Sequence, residues 1–190
     1  MEMLKAIRSR RSIRHFKAHQ IPRDVIEKLL DLTIQAPSAK NDQPWRFVVT
    51  TGEAKVSLVD KLQETLEEAK ANAHHTGSMQ NSVRAMAEAP VVILIFNRLG
   101  REDIPEPYHY ARLLVDTQSI GAAIQTLLLA AQDMGLGTLW ICDVLYATSQ
   151  VQAFASTEEE LVAAIALGVP AESPGPRPRQ SWQELTTWMD

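Results

Sequence analysis

The sequence predicts a layered fold built from both α-helices and β-strands. Four short runs rich in β-branched or other apolar residues are typical of strands, and they are interspersed with segments whose apolar residues recur at helical spacing. No internal repeat, low-complexity block or linker divides the 190 residues, a length typical of one domain. We therefore expect a single domain over residues 1–190.

Two amphipathic helices are predicted at the start of the chain. The first is short and covers MEMLKAIRSR, and its apolar face consists of Met3, Leu4 and Ile7. The second begins at Pro22, because proline suits the first helical position, and ends before Pro37, which cannot continue a helix. Its inward-facing residues are expected to be Val25, Ile26, Leu29 and Leu30.

Two strands with a helix between them are predicted next. Residues 45–50, WRFVVT, have the β-branched and aromatic residues of a strand. Residues 56–69 repeat apolar residues at helical spacing, at Val56, Val59, Leu62 and Leu66. Residues 90–96, PVVILIF, form a continuous apolar run, which is typical of a strand buried on both faces.

The longest predicted helix covers residues 111–134 and is followed by two strands. Its apolar residues occupy more than one stripe, so we expect it to be buried, in part against a second subunit. A left-handed turn at Gly135 or Gly137 ends the helix before a strand at 138–141. The segment LVAAIALGVP predicts the last strand, and a proline-rich extended tail follows it.

Composition excludes several classes of protein. The hydrophobic fraction of 45% and charged fraction of 22% are ordinary for globular domains and exclude disordered and collagen-like chains. The charged first residues are unlike a secretory signal, and no apolar run is expected to reach membrane-spanning length. Cys142 is the one cysteine, which excludes an intrachain disulfide and a multi-thiolate metal site. A cytoplasmic protein is expected.

Most motifs that carry their own chemistry are missing from the sequence. It contains no GxGxxG after a strand, no P-loop and no HExxH. His74 and His75 are adjacent and would point to different sides of a helix, so we do not expect them to bind a metal together. Cys142 is read as a small buried apolar residue rather than a nucleophile. These absences favour a bound cofactor as the source of the chemistry.

Arginines are concentrated at both ends of a chain whose net charge is −4. Residues 8–16, RSRRSIRHF, contain Arg8, Arg10, Arg11 and Arg14. A phosphate monoester suits several guanidinium groups beside a hydroxyl such as that of Ser12. Near the other end, GPRPRQ places Arg177 and Arg179 on one side of an extended chain. A solvated helix end also explains such a cluster, so the residues alone leave both interpretations open.

With these motifs in order, the chain resembles the FMN-dependent nitroreductases over nearly its whole length. RRSIRHF, APSAKNDQPWRFVV, GLGTLWI and the tail arginines are similar to four successive motifs of that family. The resemblance implies an α+β fold in which a central, mainly antiparallel or mixed sheet is flanked by helices. It also implies an intertwined homodimer with FMN sites at the subunit interface, each lined by both chains.

Carried over by position, the resemblance assigns cofactor-binding roles to fifteen residues. The phosphate and ribityl contacts are Arg10, Arg11, Ser12 and Arg179, with Arg177 beside them and Arg14 nearer the ring. The residues that reach the flavin, several from the partner subunit, are Pro37, Ser38, Asn41 and Gln43. The pyrimidine-edge pair is Asn81 and Arg84, and the backbone near flavin N5 belongs to Ile141, Cys142 and Asp143.

The sequence departs from the family pattern after GLGTLWI. Many relatives have a glycine, or an acidic residue and a glycine, where this chain has Cys142 and Asp143. The Asp143 carboxylate would either repel the reduced flavin or point away from it. We expect the departure to affect the flavin potential rather than binding.

The function implied by the resemblance is ping-pong oxidoreduction. NAD(P)H gives a hydride to FMN, and an electron-poor small-molecule acceptor, such as a nitroaromatic or a quinone, then receives it. The protein itself needs no catalytic acid. Tyr108 and Tyr110 either stack on this substrate or pack within their loop.

Two other classes of function share some of these sequence features. A flavin-binding protein without turnover of an exogenous substrate, acting in sensing, storage or flavin processing, shares the same motifs. A nucleic-acid-binding module is disfavoured by the pI near 5.7 and by the lack of aromatic residues among the arginines. We therefore expect no nucleic-acid partner and no membrane.

Overall fold

The computed structural model describes residues 3–100 and 104–189 and contains one four-stranded sheet flanked by helices. Every strand pair is antiparallel, and the strand order is β1-β2-β4-β3. The strands are β1 (Trp45–Thr51), β2 (Val91–Asn97), β3 (Gly137–Ile141) and β4 (Glu160–Gly168). The helices are α1 (Met3–Ser9), α2 (Arg23–Thr33), α3 (Gly52–Ala71), α4 (Met79–Glu88), α5 (His109–Asp133) and α6 (Thr148–Phe154). The predicted α+β class and all four predicted strands are confirmed.

The sheet separates two hydrophobic cores, and β2 contributes to both. All seven residues of β2 are buried, as its continuous apolar run predicted. Successive side chains of a strand point to opposite faces, so its apolar residues alternate between the cores. One core receives Val92, Leu94 and Phe96 with α3 and α4, and the other receives Val91, Ile93 and Ile95 with α2 and α5. Burial of each such side chain stabilises the fold by about 1.5–3 kcal/mol.

Helix α5 is buried along its inner side only. Ile120, Ile124 and Leu127 are fully buried against the sheet, while Leu114 and Val115 remain exposed in the single chain. Contrary to expectation, the segment Glu106–Asp133 is long and apolar enough to cross a membrane by length and composition. Because its inner face is covered by the sheet, we interpret it as a core helix of a folded domain.

The helices differ from the sequence prediction in several details. The predicted apolar face of α1 is exposed in the single chain, with Met3 at 75% and Leu4 at 67% exposure, and Val56 of α3 is also exposed. Pro22 immediately precedes α2 instead of opening it. The sequence reading also missed α4 and α6, because both are short and α4 carries polar residues among its apolar ones.

The glycines after α5 have different roles. Gly135 has a φ of +74°, so the left-handed turn lies there, while Gly137 is the first residue of β3. A Cβ on Gly137 would lie 2.9 Å from a side-chain carbon of Ile13. Glycine is therefore required where the N-terminal segment approaches the sheet.

Backbone pairing brings the two ends of the chain together. The residues after α1 run beside β3, where the Ile13 amide donates to the Thr138 carbonyl at 2.9 Å. Farther along, the Lys17 amide donates to Val169, and the Ala171 amide donates to His15, both at 2.9 Å. The motif RRSIRHF consequently lies next to the proline-rich tail that follows β4.

Candidate functional site

A small cleft contains the arginines from both ends of the chain. It has a volume of about 90 Å³, and we call it the arginine cleft. Its lining residues are Arg10, Arg11, Ser12, Arg14, Pro174, Gly175, Arg177 and Arg179. The sequence assigns residues from two distant motifs to the binding of one anion. The structure brings these residues together in one cleft.

Among the described residues, no carboxylate forms a salt bridge with an arginine of the arginine cleft. Partial burial, together with Arg179 and Arg11 nearby, lowers the pKa of the Arg10 guanidinium below its usual value. Within the part of the chain that the structure describes, Arg10, Arg14, Arg177 and Arg179 form no salt bridge. Uncompensated guanidinium groups beside a hydroxyl fit a phosphate dianion by charge and by hydrogen-bonding capacity.

Two carboxylates that contact the N-terminal segment bind its backbone amides rather than its arginine side chains. Glu172 accepts hydrogen bonds from the amides of Arg14 at 2.5 Å and His15 at 3.2 Å. Glu88 accepts from the Phe16 amide at 3.3 Å and pairs with the His15 ring at 3.1 Å. These two acids fix the path of the N-terminal segment, and the Arg14 guanidinium makes one long hydrogen bond, from Nη1 to the Ser12 carbonyl at 3.4 Å.

Arg11 is partly committed to the protein itself. Its Nη1 donates to the carbonyls of Arg8 at 2.8 Å and Arg10 at 2.9 Å, which satisfies acceptors at the end of α1. Arg11 therefore lines the arginine cleft as predicted, but with part of its hydrogen-bonding capacity already used.

A larger groove adjoins the arginine cleft and shares Arg14 and Arg177 with it. It has a volume of about 560 Å³ and follows the end of β3, so we call it the β3 groove. The predicted residues that line it, besides the shared pair, are Asn81, Arg84, Ile141, Cys142 and Asp143. The structure thus places eleven of the fifteen predicted cofactor residues in two adjoining clefts.

The Asp143 carboxylate is held by the start of α4. Its Oδ2 accepts hydrogen bonds from the hydroxyls of Ser78 at 2.5 Å and Ser82 at 2.8 Å. The helix N-terminus carries a partial positive charge, which also stabilises a carboxylate there. The Asp143 carboxylate was expected either to repel a reduced flavin or to point away from it. The two serines and the helix N-terminus offset part of its negative charge.

Cys142 is exposed, so the expectation of a buried apolar residue is wrong. Partial burial of the thiol and the neighbouring Asp143 both raise the pKa of Cys142. The thiol is therefore protonated at neutral pH, which argues against a role as nucleophile.

The other four predicted residues lie on a separate loop, residues 37–43, which we call the site loop. Pro37, Ser38, Asn41 and Gln43 line neither of the two clefts. The loop packs against α5, where the Ala39 amide donates to the hydroxyl of Ser119 at 3.2 Å. Within one chain, the site loop and the arginine cleft therefore form two separate groups.

The predicted substrate residues lie beside the first turn of α5. Tyr108 and Tyr110 are 63% and 70% exposed, and neither makes a ring contact within the described residues. Their exposure is consistent with a stacking role, which remains a prediction.

Sequence reasoning missed four residues that shape the site. Ser78 and Ser82 hold Asp143, Trp140 lines the β3 groove, and Glu172 orders the N-terminal segment. Ser78 precedes a run with apolar residues at helical spacing, and this N-cap pattern was a usable signal for α4. Glu172 carries no such signal, because its role depends on a contact between distant parts of the chain.

A third groove, larger than the arginine cleft and the β3 groove, is lined by none of the predicted residues. It has a volume of about 820 Å³ and lies between α3 and the end of α4. Lysines and acids line it together, including Lys55, Lys61, Asp60 and Glu64, so it lacks the single sign of charge found in the arginine cleft. Over residues 3–100 and 104–189, no group of three or more His, Cys, Asp or Glu side chains is arranged to hold a metal ion.

Comparison with known proteins identifies close relatives of this architecture. A protein of Methanothermobacter thermautotrophicus, provisionally named an NADH dehydrogenase/NAD(P)H nitroreductase, is 30% identical over 181 residues, which are 93% of this chain and 82% of that protein. The 5,6-dimethylbenzimidazole synthase of Rhodospirillum rubrum is 30% identical over 188 residues, which are 92% of this chain and 85% of that enzyme.

A solved structure is also similar to this chain in sequence and fold. A provisionally named nitroreductase of Desulfovibrio desulfuricans, in complex with FMN, is 31% identical with a TM-score of 0.75, and the match covers 100% of this chain and 98% of that one. The nitroreductase family model matches residues 7–169, a span that contains the N-terminal arginines, the site loop and every residue lining the β3 groove except Arg177. The chain therefore belongs to the nitroreductase family.

Proposed function

We propose that this protein is an FMN-dependent oxidoreductase that uses NAD(P)H to reduce electron-poor acceptors, such as nitroaromatics or quinones, in a ping-pong sequence. The FMN complex of the Desulfovibrio relative and the NAD(P)H nitroreductase name of the Methanothermobacter relative support the cofactor assignments. Since NAD(P)H is a cytoplasmic reductant, the proposal places the protein in the cytoplasm.

The arginine cleft is the observation that carries the proposal. Arg10, Ser12 and Arg179 would hold the FMN phosphate there, with Arg177 beside them. Because the β3 groove continues from this cleft through Arg14 and Arg177, it would take the flavin ring. Fixed cations suit a phosphate because they need no rearrangement when the anion binds.

A homodimer is part of the proposal, because the site loop lines neither cleft of its own chain. A second copy of the chain would bring its site loop to the clefts of the first. Apolar side chains on α1 and α5 lack cover in the single chain and would be buried by such a partner. They include Met3, Leu4, Ile7, Leu114 and Val115.

In the proposed reaction, the protein's own residues bind and orient the flavin and shield it from water. When bound, FMN supplies the redox chemistry by accepting a hydride from NAD(P)H and passing it to the acceptor. Arg14 and Arg84 offer N–H donors in the β3 groove, where a cation stabilises developing negative charge. Leu139 and Ile141 give the groove an apolar wall, which limits access of water. The Asp143 carboxylate accepts hydrogen bonds from Ser78 and Ser82, which fix its position in the groove.

Cofactor content and turnover test the proposal directly. Purified protein is expected to release FMN on heating and to oxidise NADH or NADPH when a quinone or a nitroaromatic is present. A protein fully loaded with FMN that shows no turnover with either acceptor class contradicts the oxidoreductase function. A colourless protein that does not bind added FMN contradicts the cofactor as well.

A second candidate is a flavin-processing role without an exogenous acceptor. The 30% identity to a 5,6-dimethylbenzimidazole synthase over most of both chains favours it. Chromatography of the flavin after aerobic incubation with excess reduced FMN separates the two candidates. Progressive loss of FMN supports flavin processing, whereas intact FMN together with acceptor turnover supports the reductase.

A further inference from the structure

The site loop has an uncommon backbone conformation. Lys40, Asn41 and Gln43 have φ values of 51°, 59° and 48°, in the left-handed region that non-glycine residues rarely adopt. A conformation of this kind persists only where surrounding contacts hold it. Three such residues within four positions therefore need an external support.

Arg112 links the site loop to the interior of the protein. Its Nη2 donates to Oδ2 of Asp42 at 3.0 Å, and its Nε donates to the Asp116 carboxylate at 2.9 Å. Asp116 is 2% exposed and also accepts a hydrogen bond from Asn97 Nδ2 at 3.3 Å. The hydrogen bond with Asp116 is the main cause of a raised pKa at Arg112, so the guanidinium stays charged. A fixed cation on α5 therefore reaches out to the loop.

A second arginine supports the loop from the end of β2. Arg98 Nε donates to the Gln43 carbonyl at 3.1 Å, and its Nη2 donates to the Asp42 carbonyl at 3.4 Å. Inside the loop, the Gln43 amide donates to the Ser38 hydroxyl at 3.0 Å. Arg98 is exposed, however, whereas Arg112 is attached to a buried carboxylate. Arg112 is thus the more rigid of the two supports.

We propose that Arg112, anchored by Asp116, is a positioning residue that holds the site loop in its left-handed conformation and so presents Asn41 and Gln43 for flavin binding. The inference rests on the proposed function, because it takes the loop to be a flavin contact. Arg112 lines neither cleft and acts through Asp42. Partly exposed ion pairs contribute little to global stability, so the effect of Asp42 is expected in the loop rather than in the fold.

Asp42→Ala tests the link most directly. It removes the ion pair between Arg112 and the loop but leaves the hydrogen bond from the Ala39 amide to Ser119 and the buried contacts of Arg112, Asp116 and Asn97 in place. If the loop then adopts its binding conformation about one-tenth of the time, the dissociation constant for FMN rises about tenfold. The thermal unfolding midpoint of the apo-protein is expected to stay unchanged. Asp31→Ala, on the exposed side of α2, is the matched control and is expected to bind FMN like the wild type.

A second-site glycine separates positioning from a general structural effect. Glycine adopts the φ of Lys40 without steric cost, so Lys40→Gly in the Asp42→Ala background is expected to restore most of the FMN affinity. The visible spectrum of the bound flavin is expected to return to that of the wild type as well. If Asp42→Ala does not fold, Asp42→Asn replaces it. Asp42→Asn keeps a hydrogen-bond acceptor for Arg112, so the expected loss of FMN affinity relative to the wild type is smaller.

Each outcome of these binding experiments supports or overturns the positioning role of Arg112. A wild-type protein that binds FMN and an Asp42→Ala variant that binds it equally tightly overturn the positioning role and leave the proposed function intact. Failure of Lys40→Gly to restore affinity also overturns it. A wild-type protein that does not bind FMN overturns the proposed function and this inference together.

Discussion

Replacement of Arg10 by glutamine is expected to weaken FMN binding without destabilising the apo-protein. Arg10 is half-buried between cations, and its lowered pKa means that folding disfavours its charged form. A base whose pKa falls on folding destabilises the folded state at every pH where it is charged. Arg10→Gln removes the cost of burying that charge and its repulsion by Arg179 and Arg11, so the apo-protein is expected to unfold at the same temperature or higher.

The expected loss of affinity follows from the burial of each arginine. A hydrogen bond from a half-buried guanidinium to a phosphate contributes about 1.5–3 kcal/mol, so Arg10→Gln is expected to raise the dissociation constant about 10- to 150-fold. Arg179 is exposed, and solvent screening reduces its contribution to about 1 kcal/mol or less. Arg179→Gln is therefore expected to weaken binding by up to about fivefold.

Riboflavin provides the matched ligand, because it has the same ring as FMN but no phosphate. Apo-protein is titrated with each flavin, and binding is followed by flavin fluorescence, with Arg23→Gln on the exposed face of α2 as control. The affinity for FMN is expected to fall in Arg10→Gln while the affinity for riboflavin is unchanged. Equal losses for both ligands would refute the assignment of the phosphate to the arginine cleft. A fall in the apo unfolding midpoint of more than about 4 °C, equivalent to ~1 kcal/mol, would refute the repulsion argument.

Three further predictions concern pH, packing and assembly. FMN binding is expected to weaken below about pH 6, where its phosphate takes up a proton and loses part of its charge, whereas riboflavin binding is not; parallel titrations at pH 5 and 7.5 check this. Gly137→Ala is expected to destabilise the fold by about 1–3 kcal/mol, because its Cβ would crowd Ile13 at 2.9 Å, and urea unfolding measures the loss. Ile7→Asp is expected to convert the proposed dimer into a monomer in sedimentation analysis, because it puts a charge on the exposed apolar face of α1. An unchanged sedimentation profile would mean that α1 lies outside the interface.

The sheet and most of the residues that line the arginine cleft could be predicted from the sequence, because their signals are local. The apolar run of β2 indicates a strand buried on both faces wherever it occurs. Arg10 and Arg14 form a recognisable cluster, and the proline-spaced pair of Arg177 and Arg179 forms another. The two clusters are brought together because residues 12–17 pair with β3 and with the segment after β4. This pairing joins distant parts of the chain and has no local signal in the sequence.

The site loop shows why other features could not be predicted. Left-handed backbone is usually signalled by glycine, yet Lys40 and Gln43 adopt it because Arg112 and Arg98 hold the segment from outside. The buried carboxylate of Asp116 has no sequence signature, since an acidic residue at a predicted helix position is ordinarily exposed.

The two groups of site residues are held in different ways, and this has a thermodynamic consequence. The arginine cleft gathers repelling cations, so an anion that binds there relieves a cost of the folded apo-protein and stabilises the fold by linkage. The site loop is held by ion pairs that are already complete, so an anion gives it no such benefit. Inorganic phosphate is therefore expected to raise the unfolding midpoint of the apo-protein and to lose this effect in Arg10→Gln. Asp42→Ala is expected to keep the response to phosphate while its binding of FMN is weakened. Loss of the phosphate response in both variants would mean that the arginine cleft and the site loop form one cooperative unit rather than two.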